Sequence, residues 1–201
     1  MKHRSMEFFD SQFQRQVEAR EFALNTFESR ALNHLSGSVL DLGCGLGNLS
    51  VEAARRGHRV VAVDASPTAI ARIERAAKDE GLPIEAHVQD LATWNVDRPY
   101  DTIVSIGLLM FFPRDRALEL LGLIQKHVKP GGRAIINVLI EGTTYMEMFE
   151  PGRYHLFGRN ELAERFAMWT VVEVAFESFE APGGTRKEFC TIIAAKHVEG
   201  R

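Results

Sequence analysis

The sequence has little cysteine, little tryptophan, few prolines and no long apolar run: 2 Cys, 2 Trp and 7 Pro in 201 residues. Two cysteines, Cys44 and Cys190, supply no disulfide framework, which excludes the small cross-linked secreted scaffolds and fits a reducing compartment. The longest apolar stretch, at 106–112, falls far short of the roughly 20 residues a membrane helix needs. The basic residues at 2–4 are not followed by an apolar segment, so they do not read as a secretory signal, and a cytoplasmic location is expected. Charge of one sign is also missing. Lys and Arg number 24 against 27 Asp and Glu, for a net charge of −3, so no basic field invites a nucleic-acid backbone or an anionic membrane. Repeats and low-complexity linkers are absent, and one domain is expected.

What remains is an ordinary globular composition, 45% hydrophobic and 25% charged, which excludes disordered and fibrous classes. To about Leu35 the chain reads helical, with Leu24, Phe27, Ala31, Leu32 and Leu35 on one face and Gly37 as a stop. From there short apolar runs alternate with amphipathic stretches. Strands are predicted at 38–42, 59–64, 84–88, 101–106, 132–139, 171–179 and 188–195, and helices at 48–56, 67–80, 114–128 and 159–166. Ser66-Pro67 is a helix start, a capping hydroxyl followed by proline at the first helical position. Lys129-Pro130-Gly131-Gly132 reads as a helix stop and tight turn.

The early strands are apolar on both faces and separated by helices. That pattern predicts a doubly wound, Rossmann-like α/β sheet of about seven strands, mostly parallel. The last two strands are joined by a short Pro/Gly/Gly connection and should form an antiparallel hairpin. Ligands in such a sheet bind at the carboxyl ends of the strands, by the switch point after the first strand.

At that point stands Asp41-Leu42-Gly43-Cys44-Gly45-Leu46-Gly47. Glycines here tolerate positive φ and let backbone approach a ligand. The spacing is G-x-G-x-G, not the G-x-G-x-x-G of dinucleotide sites, because Asn48 stands where the third glycine would fall. Asp41, just before the loop, would repel a pyrophosphate and attract an ammonium or sulfonium. Asp64 ends the second predicted strand about twenty residues on, where an acid can accept from both ribose hydroxyls. Together these features imply a ribonucleoside with a cationic or zwitterionic tail and disfavour a nicotinamide dinucleotide. Asp64 and Asp90 have a plainer reading as helix caps. Cys44 reads as a small residue that fits the loop, and Cys190 as core.

The constellation resembles the class I S-adenosylmethionine (SAM)-dependent methyltransferases. Asp41–Gly47 resembles the motif that cradles the methionine part of SAM, and Asp64-Ala65 the one that holds the ribose. Asp90-Leu91 resembles the adenine motif, and the strand ending at Ser105 the fourth strand. The resemblance implies SAM as cofactor, with S-adenosylhomocysteine (SAH) as product. The implied cofactor-binding set is Asp41, Gly43, Cys44, Gly45, Gly47, Asp64, Ala65, Asp90, Leu91 and Ser105.

No Asn/Asp-Pro-Pro-Tyr motif follows the fourth predicted strand, no Pro-Cys nucleophile is present, and the histidines lack ligand spacing. Nucleic-acid acceptors and metal-assisted transfer are therefore not expected, which leaves a small-molecule acceptor. The segment after the fourth strand, Phe157–Leu162, Trp169 and the closing strand resemble the tellurite-resistance group, TehB-like. That resemblance implies a soft oxyanion or another small nucleophile, although the final hairpin here lacks the group's histidine. A SAM-binding module without turnover is the competing reading.

Acceptor-site candidates are Tyr145, Arg153 and His155 in the long 141–155 segment, Arg186 in the hairpin, and Met110 beyond the fourth strand. Phe8, Phe9 and Phe13 should pack an N-terminal helix over the cofactor. The expected division is a helical lid (1–36), a SAM-binding core (37–140) and an acceptor loop with the hairpin (141–201).

Overall fold

The structure is a computed structural model that describes residues 4–198, with side chains from Phe8 onward. The first three residues of the expected lid and the last three of the chain lie outside the described residues. Two helices come first, α1 (Arg4–Ala19) and α2 (Thr26–Leu32). The single N-terminal helix expected to Leu35 is thus broken. Arg20 takes a positive φ of 55°, a conformation that ends a helix for a non-glycine residue. Asn25 and Glu28 then restart it through a reciprocal capping box.

The remaining order is β1 (Ser38–Leu42), α3 (Asn48–Arg55), β2 (Arg59–Asp64), α4 (Pro67–Glu80), β3 (Ile84–Val88), β4 (Tyr100–Ile106), a 3-10 turn (Leu109–Phe111), α5 (Arg114–His127), β5 (Val128–Leu139), α6 (Glu161–Arg165), β6 (Thr170–Ala181) and β7 (Thr185–Ala195). The seven strands form one sheet in the order β3-β2-β1-β4-β5-β7-β6. Strands β1 to β5 pair in parallel, and β7 runs antiparallel to both β5 and β6. This is the expected doubly wound sheet with a C-terminal hairpin. β1 has β2 on one side and β4 on the other, so the switch point lies beyond Leu42.

Strand alternation divides the core into two layers. Val39, Val60, Val104, Ile135 and Ile193 pack with α2 and α3. Leu40, Ile103, Ile136 and Ile192 pack with α5 on the other face.

The turn expected at Lys129–Gly132 is instead part of β5. Its pairing with β4 shifts register between Tyr100 and Thr102, so the extra residues are absorbed as a bulge. A Cβ on Gly132 would lie 2.5 Å from the Asp101 carbonyl oxygen, which explains the glycine there. The 159–166 helix is shorter than expected and begins at Glu161. Among the described residues no helix is long and apolar enough to cross a membrane.

Candidate active site

A cavity of about 1020 Å³ opens over the carboxyl ends of β1, β2, β4 and β5. Pockets for single small ligands run roughly 300–1,000 Å³, so this one has room for a nucleoside and a second molecule.

The glycine loop forms its floor and is pinned to β2: the Gly43 and Cys44 amides both donate to the Val63 carbonyl, at 2.8 and 3.1 Å. All three glycines have positive φ. Gly43 and Gly45 line the cavity; Gly47 does not. A Cβ on Gly47 would stand 2.4 Å from Ile73 Cγ1, so its place in the pattern comes from packing against α4. Cys44 lines the cavity, but burial pushes its thiol pKa well up, which suits filling and not nucleophilic attack.

Asp41 is 4% exposed and accepts from the Ser50 hydroxyl at 2.6 Å. Burial raises its pKa to about 7, the Ser50 bond opposes this, and Glu28 and Asp64 add to the rise. Asp64 accepts the Gly45 amide on one carboxylate oxygen and the Ser66 amide on the other, both at 2.9 Å. The carboxylate keeps lone-pair capacity beyond these amide bonds for a further donor. Burial raises the Asp64 pKa against backbone bonds from Ser66, Gly45 and Ala65, and burial likewise raises that of Glu28. Three carboxylates whose ionised forms burial disfavours thus line one cavity, a setting that a cation relieves.

Asp90, Leu91 and Ala92 line the adjoining wall. The Asp90 carboxylate accepts the Ala92 amide at 2.9 Å, a local turn bond of the kind its plainer reading anticipated. Arg116 holds the loop by donating to the Leu91 carbonyl at 2.9 and 3.2 Å. Ala65 is also part of the wall.

Ser105 is placed differently from its expected role. Alternation sends its side chain with Ile103 to the α5 face, opposite Val104 and Ile106. It is fully buried, its hydroxyl has no partner, and it does not line the cavity.

Helix α1 lies over the loop. Phe13 lies so close that a Cβ on Gly45 would stand 3.3 Å from its ring. Phe9 meets Phe111 edge-on at 5.0 Å, and Asp10 accepts from the Ser66 hydroxyl at the start of α4. Phe9 and Phe13 line the cavity, whereas Phe8 is 36% exposed and stands outside it.

Of the acceptor candidates, Met110 and Arg153 line the cavity, while Tyr145, His155 and Arg186 do not. The 141–155 segment folds Met148 and Phe149 against Met110 and Leu139, and of its polar residues Glu150 and Arg153 line the cavity. His155 lies against Phe157 at a tilted angle and faces Glu161, with Nε2 3.3 Å from the carboxylate. The Tyr145 ring lies under the Lys187 ammonium at 4.7 Å, and Arg186 reaches out beside Glu188 at 3.8 Å. The site also contains residues absent from the expected set: Glu28, Asn137, Lys187 and Phe189. Asn137 had a visible signal, a single amide in the apolar run 134–140. Lys187 had only the strand alternation that separates it from Arg186.

The sheet order and the loop at its switch point define a Rossmann-like fold of the class I methyltransferase kind. Residues 39–132 match the methyltransferase domain family. The TehB crystal structure from Haemophilus influenzae superposes with a TM-score of 0.74 at 27% identity, over 87% of this chain and 63% of that one. The probable S-adenosyl-L-methionine-dependent methyltransferase TehB of Haemophilus influenzae (strain 10810) is 28% identical over 165 residues, covering 79% of this chain and 57% of that protein. Hemagglutinin 1 of Eikenella corrodens is 31% identical over 135 residues, 67% of this chain and 44% of that protein. The chain therefore spans about half the length of these curated relatives. It is similar to TehB, and its residues 39–132 match a methyltransferase domain.

Proposed function

We propose that this chain transfers a methyl group from SAM to a small-molecule nucleophile by direct displacement. When bound, the cofactor supplies a methyl carbon whose bond to sulfur breaks with its electron pair as the acceptor lone pair forms the new bond.

The chain's own residues bind, orient and exclude water. Asp64 takes the ribose hydroxyls, and Asp90 with the Leu91 amide takes the adenine edge. Asp41 and Glu28 set negative charge opposite the ammonium and sulfonium. Phe9 and Phe13 close the cavity from the lid side, which aligns reactants and keeps water out. Residues 1–36 act as lid, 37–140 as cofactor core and 141–201 as acceptor side. A cytoplasmic location belongs to the same proposal, supported by two buried thiols that form no disulfide. A soft oxyanion of the tellurium type, suggested by the relatives' group, is one acceptor to test among small nucleophiles.

The reading rests on one observation: the buried Asp41 and half-buried Asp64 carboxylates flank a glycine loop within a single cavity large enough for two ligands. Titration calorimetry should show both SAM and SAH binding to the purified protein. Asp64→Ala should weaken each at least tenfold, since bonds to a charged acceptor contribute about 1.5–3 kcal/mol. If the wild-type protein binds neither ligand, the reading is lost. Turnover of labelled SAM against selenite, tellurite, thiols, thiopurines or small amines would then separate transfer from mere binding.

A further inference from the structure

One face of the β5–β7 pair carries polar groups that the cofactor reading leaves unused. The register sets Asn137 against Thr191 and Leu139 against Phe189, with Lys187 two residues further along β7. Alternation puts all five side chains on the α2 face. Asn137 is 0% exposed and donates through Nδ2 to the Thr191 hydroxyl at 2.9 Å. Its Oδ1 has no partner, although the residue lines the cavity where β4 and β5 meet. An orphaned buried carbonyl favours a ligand that donates a hydrogen bond to it.

At the other end, the half-buried Lys187 ammonium stands over the Tyr145 ring. Burial lowers its pKa with no carboxylate opposing the shift. Between these ends the walls are apolar: Phe27 lies 4.8 Å from the Phe189 ring, and Phe179 lies 5.8 Å from it. A smaller cavity of about 260 Å³ continues past Lys187 and shares Phe27 and Phe189 with the main one. Lys187 therefore stands at a junction of the two cavities, the smaller of which is lined by Phe27, Phe179 and Phe189 together with Asn25, Thr26 and Glu180.

We propose that this face is the acceptor channel and that it takes an aromatic organic acid, its anionic group at Lys187 and a hydrogen-donating nucleophile at Asn137. The inference rests on the cofactor reading above, in which the sulfonium lies opposite Asp41 and Glu28, in the same cavity that Asn137 and Lys187 line. Lys187 and Thr191 are four residues apart on β7, about 13 Å at the strand rise. An inorganic oxyanion is too small to use both ends, whereas a ring bearing a carboxylate and a thiol or hydroxyl engages each. Tyr145 enters as a positioning residue, since its ring holds the ammonium in place.

The test uses SAH-loaded protein and calorimetry, with 4-mercaptobenzoate, 4-hydroxybenzoate, their amides, 4-methylbenzoate and selenite as probes. The acids should bind at least tenfold more tightly than the amides, and Lys187→Met should erase that ratio while SAH affinity stays within about twofold. 4-Hydroxybenzoate should bind better than 4-methylbenzoate, and Asn137→Ala should remove that preference. Equal affinity for acids and amides, a ratio that survives Lys187→Met, or selenite binding in preference to every acid would each overturn the channel. So would failure of all the acids to bind a protein that does take SAH. Failure of SAH itself to bind strikes the cofactor reading instead.

Discussion

Gly43, Gly45 and Gly47 share positive φ values of 67°, 52° and 70°, yet a methyl added to each would meet a different neighbour. At Gly47 it would lie 2.4 Å from Ile73 Cγ1 and 2.5 Å from Cδ1, in the packed α3–α4 contact. Left-handed backbone costs an alanine about 1–2 kcal/mol, and overpacking a core adds about 1–3 kcal/mol. Gly47→Ala should therefore lower unfolding free energy by roughly 3 kcal/mol in urea denaturation. At Gly45 the nearest atoms belong to the Phe13 ring at 3.3 Å, and that ring sits on the lid, free to shift. Gly45→Ala should leave most of the stability, with a loss near 1 kcal/mol, but should weaken SAH binding by more than Gly47→Ala does. Equal loss of SAH affinity in the two variants would contradict this division. The alternating glycines mark the loop in the sequence, but which of them faces the ligand depends on where α4 and α1 pack.

At the scale of elements, β1 to β4 lie within a residue of their expected bounds because the cues are local: apolar runs closed by Gly, Asp or Pro. The differences elsewhere have non-local causes, with one exception. The break at residues 20–25 has a legible local signal in the Asn25-x-x-Glu28 capping box. The passage of β5 through Pro130–Gly132 depends on its neighbour β4 and on Lys129 pairing with Asp101 at 2.9 Å, which no window of sequence displays. Likewise, Lys187 enters the site and Arg186 leaves it because β7 has one register on β5, and a slip by one residue would reverse them. The glycine loop was thus legible and most of the opposite cavity wall was not.

The lid carries its own expectation. α1 touches the core through Phe9 on Phe111, Phe13 over Gly45 and Asp10 on Ser66, a thin attachment for a 16-residue helix. Elements with few buried contacts open first. The double variant Asp10→Ala/Phe13→Ala should lose amide-exchange protection in α1 while β1 and β4 keep theirs. SAH should leave it about tenfold faster, as one charge-assisted bond and one ring contact are gone. Unchanged dissociation would show that α1 does not retain the ligand.

Across the whole molecule the buried carboxylates set a pH dependence whose sign the ligand reverses. Burial raises Asp41 to about 7 and raises Asp64 and Glu28 as well. An acid with a raised folded pKa binds more protons folded than unfolded. Its stabilising contribution is therefore complete below the unfolded value, near 4, and is lost as pH climbs through the folded one. Asp101 acts in the opposite sense. Burial alone would raise it, but bonds from Ser38 and the Lys129 ammonium hold it at about 2, so its contribution is present above pH 4 and lost as pH falls through 2.

The free protein should accordingly lose a few kcal/mol between pH 4 and 7, because a tenfold difference in proton affinity between folded and unfolded chains is worth about 1.4 kcal/mol. Asp41→Asn should flatten most of that decline. A bound ammonium or sulfonium favours ionised Asp41 and so expels its proton. SAM affinity should therefore rise with pH up to about 7, approaching tenfold per pH unit where one proton is released, and Asp41→Asn should bind SAM with little pH dependence. Calorimetry at pH 6 in two buffers of different ionisation enthalpy counts that proton directly. Release of close to one proton by the wild type and almost none by the variant is the expected result, whereas uptake would mean that the cation does not sit opposite Asp41.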